Sequence, residues 1–409
     1  MQNRDVLISG AGIAGPALAY LLREQGFNPT VVERAPAPRP GGQAVDLRGA
    51  GRTVIESMGL MERVKAVSLD QRSMAFVDAS GRPAAEVPRD LFGGEGFVSE
   101  IEVLRGDLGQ LLYDATVPAT EYLFDDTITG LDQDAKGVSI SFERASPRRF
   151  ALVIGADGLH SKVRSLVFGP ESQCVRPLNC YTAWFTAVAD FDLDGWYLMY
   201  NAPGGLVASV RPGRLPNETK VGISFRSAPI AYDRRDIVGQ QDIVAERFAG
   251  VGWETPRLLE SMRSATDFYL DSMGQVHLGN WSNGRVTLLG DAGYCPTPLT
   301  GLGTSLALVG AYVLAGDLAA ADGDHLVAFP HYEHLLRPYV AQGQQLPPSG
   351  VAGYAPHSAF GIKMRNASMR WMGRWPLRPL MAKQFAKAGD IDLPEYDHTI
   401  QTESEGTTL

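Results

Sequence analysis

The sequence predicts an α/β chain: a doubly wound, parallel-sheet domain, a second domain built on a β-sheet, and a set of C-terminal helices. Three observations predict it. A short apolar strand at 6–9 runs directly into Gly10-Ala11-Gly12-Ile13-Ala14-Gly15 and then into a helix, the opening of a β-α-β unit. From about 174 to 278 the pattern changes to strands, as at 181–188, 206–210 and 220–225. The 409 residues, 44% hydrophobic and 20% charged, supply ample core for two or three domains.

The elements follow in order. Ile13, Ala17, Leu18, Leu21 and Leu22 recur at helical spacing, Gly26 is a C′ stop, and a second strand at 30–32 ends on Glu33. The Pro/Gly-rich loop 35–42 suits a passage over a bound ligand, and a helix is expected at 53–67. Short alternating strands fill 72–98 around a turn at Ala79-Ser80-Gly81, before a helix at 105–115. Strands at 120–124, 138–142 and 150–154 lead to Gly155-Ala156-Asp157-Gly158. One helical insert, 238–249, interrupts the strand-rich region, and a buried strand at 285–289 precedes a long helix at 302–320. The stretch 364–385, broken by Pro376 and Pro379, reads as a bridge between domains, and a polar tail begins at Gln401. The expected division is 1–72, 98–170 and 279–345 for the first domain, 73–97 and 171–278 for the second, and 346–409 for the C-terminal helical segment.

Composition excludes several classes. With 46 acidic and 37 basic side chains the net charge is −9, which argues against nucleic-acid and anionic-membrane partners. Three cysteines, Cys174, Cys180 and Cys295, form no C-x-x-C pair, so neither a disulfide framework nor a zinc site is suggested, and a reducing cytoplasm fits. The N-terminus lacks a signal-peptide pattern, and the apolar run 306–316 is shorter than the roughly 18–20 residues of a membrane span, so it reads as a buried helix. His331 and His334 read as a solvated pair on a helix rather than ligands, and no metal is expected. Glycine is in excess, at 45 residues.

Part of that excess lies in three motifs at strand ends. In the first, Gly10 permits a tight turn, Gly12 lets backbone approach a pyrophosphate and Gly15 lets the helix sit close on the sheet, which makes the domain Rossmann-like. Ala14 is a candidate contact in the same turn. Glu33 is placed to accept hydrogen bonds from ribose hydroxyls, and Arg34 follows as a further candidate. By itself this motif serves a nicotinamide or a flavin dinucleotide equally. The second motif, Gly155-Ala156-Asp157-Gly158 with Ser161 and Arg164, also reads as an ordinary strand-to-helix turn. The third runs from Gly290-Asp291-Ala292-Gly293-Tyr294 through Pro298, Gly301, Leu302 and Gly303 into the long helix. Asp291 is placed for a sugar or ribityl hydroxyl. Free N–H groups at the start of that helix stabilise nearby negative charge by about 0.3–1 kcal/mol when exposed, and up to about 2 kcal/mol when partly buried.

In this order the motifs resemble the class A flavoprotein monooxygenases, the family of para-hydroxybenzoate hydroxylase, and more narrowly their tetracycline-inactivating and polyketide-modifying members. The resemblance covers roughly residues 5–345. Gly10, Gly12, Gly15 and Glu33 match the family's first fingerprint, and Arg105 matches its flavin-contacting arginine. Asp157, Gly158, Ser161 and Arg164 match the D-G-x-x-S-x-x-R signature, and Gly290, Asp291, Pro298, Gly301 and Gly303 match G-D-A…P-x-x-G-x-G. The segment from Gly41 to Arg48 resembles one that lies over the flavin ring, which makes Asp46 a flavin-proximal candidate, and the helix start of the third motif makes Pro298, Gly301 and Gly303 the others. The resemblance implies an FAD-binding domain, NADPH or NADH as electron donor, and O2. It further implies hydroxylation of an aromatic, polycyclic, polyketide or antibiotic-like small molecule through a flavin C4a-hydroperoxide. The cofactor carries that chemistry, so no catalytic acid–base residue is required. Three positions depart from the family pattern: Tyr294 stands where many members have histidine, and Ser305 and Gly310 where they have asparagine and aspartate.

Alternatives in the same fold are Baeyer–Villiger oxygenation, an FAD dehydrogenase or oxidase, and an FAD-binding protein without catalysis. A disulfide reductase would need a second G-x-G-x-x-G and a cysteine pair, and a flavin halogenase W-x-W-x-I-P; none is present. The run 303–307 lacks the last glycine and preceding strand of a nucleophile elbow. For the substrate face, Tyr197, Met199, Arg211, Phe225 and Phe268 are the candidates, a set suited to a large flat molecule.

Overall fold

Every parallel strand that ends in a glycine motif lies in one six-stranded sheet. The computed structural model describes residues 4–88, 99–188, 191–347, 349–372, 389 and 391–396. The sheet order is Ser282–Asn283, Val286–Leu288, Leu152–Gly155, Asp5–Ser9, Asn28–Glu33, Glu121–Phe124, with only the Ser282–Asn283 edge antiparallel among the described strands. Both faces of such a sheet are covered, and Val6, Leu7, Ile8, Leu152, Val153 and Ile154 are accordingly unexposed. Helix Ala14–Glu24 buries Ala17, Leu18, Leu21 and Leu22 and packs on helix Gly303–Ala320. A Cβ on Gly15 would fall 1.9 Å from the Gly10 carbonyl oxygen, so a side chain there would separate helix from turn. Helix Gly303–Ala320 has the length and apolar composition to cross a membrane, yet 83% of it is buried inside this protein, where it forms the core of the layer.

The helix expected at 53–67 is divided into Gly49–Ser57 and Met61–Ala66. Gly59 adopts φ +68°, and the Leu60 N–H returns to the Ile55 carbonyl at 3.1 Å, the left-handed termination that a glycine supplies. The insert expected at 238–249 is a pair, Ile237–Arg247 and Thr255–Ser264.

A second sheet has seven strands in the order Tyr269–Val276, Val175–Val188, Glu218–Arg226, Leu206–Pro212, Trp196–Ala202, Ser73–Val77, Pro83–Pro88. The early excursion thus joins strands from the middle of the chain, pairing in parallel with Trp196–Ala202. Its back face, with Tyr181, Phe185, Ile223, Phe225 and Leu270, is sealed by Val244, Phe248, Leu258 and Met262 of the helix pair and its flank. Its front face is apolar at one end, where Met74, Phe76, Val87, Met199 and Val207 lie under Ala355 beside helices Gly350–Tyr354 and Ala359–Met372. Arg365 fixes that cover, its guanidinium 3.8 Å from the Phe76 ring centroid and donating to Asn201 Oδ1 at 2.6 Å. The rest of the expected bridge, 373–385, and the tail from Gln401 lie outside the described residues. A three-stranded sheet of Ile128–Asp134, Gly137–Phe142 and Arg148–Phe150 and a two-stranded ribbon, Ala44–Asp46 with Glu102–Leu104, complete the strands described.

Candidate active site

The first turn is built on backbone alone. Gly10 holds φ +108°, and a Cβ there would lie 2.5 Å from the Ala156 carbonyl oxygen, so the first two motifs touch through bare glycine. Glu33 receives the Ala11 and Ala35 N–H groups, each at 2.9 Å, one on each carboxylate oxygen. It therefore fixes the turn, while a carboxylate with about four acceptor positions keeps capacity for a sugar hydroxyl. Arg34 points to the exposed side, and Arg39 stands 3.6 Å from Glu33.

Arg105 opens helix Arg105–Thr116, and its guanidinium lies 3.5 Å from where a Cβ on Gly12 would be. Loop 39–43 is laid across the start of this helix: the Arg105 N–H donates to the Gln43 carbonyl at 2.9 Å, and a Cβ on Gly106 would meet the Gly41 nitrogen at 2.5 Å. A positive charge therefore stands beside open backbone, the pairing that a pyrophosphate needs.

Asp157 caps its own helix. It accepts from Ser161 Oγ at 2.5 Å and from the Lys162 and Val163 N–H groups at 2.7 and 3.2 Å, and burial nonetheless pushes its carboxyl up. Ser161 caps Arg164, and the buried Arg164 guanidinium donates to the Ala292 carbonyl at 2.8 Å. The second signature is thus a folding unit that ties itself to the third. His160 adds a link to the other sheet, with Nδ1 at 2.9 Å from Glu171 and Nε2 at 2.9 Å from Asp271. Burial works against its charge, and the two carboxylates outweigh burial and raise its pKa.

In the third motif Gly290 and Gly301 hold φ +64° and +66°, Thr297 holds φ +81°, and Pro298 is exposed. Leu302 is buried, and helix Gly303–Ala320 begins with no side-chain cap. Burial pushes the Asp291 carboxyl up, with Arg105 opposing it. Its Oδ1 is 3.8 Å from a Cβ position on Gly303, and Asp46 Oδ2 is 3.3 Å from one on Gly301. Arg105, Asp291, Gly301, Gly303 and Asp46, distant in sequence, are brought to one end of the parallel strands.

Two residues of the cluster around Asp46, Gln71 and Glu102, escaped the sequence reading, and Arg48 was named there only as the end of the 41–48 segment. Arg48, 4% exposed, holds Asp46 at 2.8 Å. Glu102 stands opposite Asp46 in the ribbon and pairs with Arg211, whose Nε donates to Gln71 Oε1 at 2.9 Å. Burial pushes Glu102 up to about 7 against the pull of Arg211. The available signal was a lone charge inside the apolar run Ile101-Glu102-Val103-Leu104.

Of the substrate-face candidates, Tyr197 and Arg211 come together, the guanidinium 4.7 Å from the ring centroid, and Met199 lies on the same front face within its buried apolar end. Phe225 and Phe268 require correction. Strand alternation turns Ser224, not Phe225, to the face of Thr182, so Phe225 stacks on Tyr181 at 5.5 Å in the helix-covered core. Phe268 joins the same core against Phe185 at 6.3 Å. A separate polar cavity of about 500 Å³, lined by Asp5, Arg23, Asn28, Glu121 and Arg148, lies at the opposite ends of the parallel strands, away from the glycine turns.

The site fits FAD on its own evidence. Among the described residues, a Cβ on Gly12 would meet nothing closer than Arg105, one on Gly158 nothing within 4 Å, and buried Gln43 Oε1 and Thr297 Oγ1 have no partner. The family described as an FAD binding domain matches residues 3–325. The chain is 44% identical over 357 residues to the uncharacterized protein Rv1260 of Mycobacterium tuberculosis, covering 86% of this chain and 95% of that one. A flavin-dependent monooxygenase of Legionella longbeachae is 37% identical over 344 residues, with coverage of 84% and 88%. The crystal structure of tetracycline destructase Tet(55) matches with a TM-score of 0.80 and 36% identity over 96% of this chain and 99% of that one. The chain belongs to the FAD binding domain family. Within it, the fold is that of the class A flavoprotein monooxygenases, and the protein is an enzyme of that kind with FAD as its cofactor.

Proposed function

We propose that this enzyme uses NADPH or NADH and O2 to oxygenate an aromatic, polycyclic, polyketide or antibiotic-like small molecule, in the cytoplasm. In this reading Gly10, Gly12, Ala14, Gly15, Glu33 and Arg34 serve the adenosine half of FAD, and Arg105, Asp157 and Asp291 its middle. Pro298, Gly301, Leu302, Gly303 and Asp46 serve the ring end, and Tyr197, Met199 and Arg211 the substrate. Segments 1–72, 98–170 and 279–345 act as the cofactor domain, 73–97 and 171–278 as the substrate domain, and 346–409 as the C-terminal helical segment and tail.

One observation carries the reading. The uncapped start of helix Gly303–Ala320 and Asp46 meet at Gly301, and Asp46 connects through Glu102 to Arg211 and Tyr197 on the front face of the second sheet. Bound FAD supplies the electron and oxygen chemistry. The chain's own residues supply the rest: N–H groups at the helix start stabilise negative charge, Arg105 neutralises phosphate, and the apolar end of the sheet excludes water. Likeness to tetracycline destructases supports a polycyclic substrate.

The test is NADPH and NADH consumption by FAD-loaded protein against a panel of phenolic and polycyclic compounds. Consumption that rises with one of them is expected. Retention of FAD with no substrate-dependent consumption would favour an FAD-binding protein without catalysis. Identification of the new bond in the product separates hydroxylation from Baeyer–Villiger insertion.

A further inference from the structure

The ribbon sets two carboxyl groups against each other in the interior. Asp46 and Glu102 are directly opposed in its register, so their side chains share one face of the ribbon, and Glu102 is 3% exposed. Two carboxylates facing each other in a buried place repel, and a proton on one of them removes that repulsion. Each carboxyl also has a guanidinium beside it. Arg48, following the same ribbon strand, faces Asp46 at 2.8 Å, and Arg211, from the seven-stranded sheet, faces Glu102. Both guanidinium groups stay charged. Tyr197 and Gln71 reach the cluster through Arg211 and are neutral. Burial, with Arg211 opposing and Asp46 adding, places the titration of Glu102 at about 7.

We propose that Asp46 and Glu102 share one proton at neutral pH, and that Glu102 is thereby a positioning residue that keeps Arg48 on Asp46 and Arg211 on itself. Loss of that proton to solvent leaves two adjacent anions, whose repulsion loosens the ribbon at its Asp46 end. Asp46 then shifts against the Gly301 turn, which it approaches within 3.3 Å of a Cβ position. The effect on the cofactor rests on the reading given under Proposed function; the shared proton itself does not.

Infrared titration of the full chain with and without FAD tests this, with wild type beside Glu102→Gln and Asp46→Asn. The expected wild-type result is a protonated-carboxyl band that disappears as pH rises through about 7 and is missing in Glu102→Gln. In Asp46→Asn the midpoint should fall, because the neighbouring charge that raises it is gone, and this variant decides the matter should Glu102→Gln fail to fold. In FAD-loaded protein the flavin absorbance should shift with the wild-type midpoint and be pH-independent over that range in Glu102→Gln, whose amide does not titrate. A wild type with no band above the ordinary carboxylate range, a band untouched by Glu102→Gln, or an unmoved midpoint in Asp46→Asn overturns the shared proton. A protein that shows the titrating band but takes up no FAD supports the proton pair and overturns the cofactor reading, so the two fail separately.

Discussion

Asp291 sits where burial, the start of a helix and Arg105 converge, so a hydroxyl of the cofactor placed there gains a charge-assisted hydrogen bond. Its removal in Asp291→Ala should cost about 1.5–3 kcal/mol of FAD binding, roughly ten- to a hundredfold. Flavin absorbance per protein after gel filtration measures it, and full retention of FAD would remove Asp291 from the site. Gly10→Ala should lower the melting temperature, because φ +108° and a 2.5 Å approach to the Ala156 oxygen leave no relaxed place for a methyl group; a strain of about 1–3 kcal/mol is expected. The glycines and Asp291 were legible in the sequence because their requirements are local: a strand end, a turn, a helix start. Glu102 and Gln71 were not, since their partners, Asp46 and Arg211, come from segments far apart in the chain. Phe225 failed for a related reason. A strand's composition says that one face is apolar, and only its register says which face meets the cofactor.

At the scale of elements, two departures from the family pattern prove to be a single packing solution. Tyr294 lies against Trp281 at 4.6 Å and bonds Tyr332 through its hydroxyl at 3.0 Å, and Tyr332 in turn donates to the Leu288 carbonyl at 3.0 Å. A Cβ on Gly310 would fall 2.1 Å from the Tyr294 hydroxyl, so the tyrosine fits because helix Gly303–Ala320 is bare there. Ser305, the third departure, ties the same helix to the Arg48 carbonyl at 3.0 Å. Gly310→Ala should therefore destabilise by about 1–3 kcal/mol, and Tyr294→Phe in the same chain should recover part of that loss. Chemical denaturation of both single variants and the double variant measures the coupling, and strictly additive effects would refute it. Between elements, His160 clasps helix Glu171–Cys174 and strand Tyr269–Val276 to the second motif. Because its folded pKa is raised above 6.5, its stabilisation is complete below pH 6.5 and is lost as pH rises through the folded value. The stability difference between wild type and His160→Gln should shrink with rising pH across that window, and a difference independent of pH would show the clasp to be uncharged. Most helices and strands were legible from periodicity. The division of 53–67 at Gly59 was hidden because both halves share one apolar rhythm.

For the whole molecule, sequence order and spatial order differ most where function concentrates. The excursion 73–88 leaves the parallel layer to complete a sheet otherwise built from 175–276, and the ribbon at Asp46 and Glu102 lies where the two layers meet. Class and cofactor were legible from three motifs in order, and C-terminal helices bridging the domains were expected, whereas their seat on the second sheet's front, at Ala355 and helix Ala359–Met372, comes from packing between segments distant in the chain. The acidic balance of −9 remains a statement about partners rather than about fold. The central claim is that this architecture directs one atom of O2 into a small organic molecule. Turnover with isotopically labelled O2 and a substrate that stimulates NAD(P)H consumption tests it directly: the account predicts one labelled atom in the product. Substrate oxidised without label, with the oxygen recovered as hydrogen peroxide, would contradict it and define an oxidase.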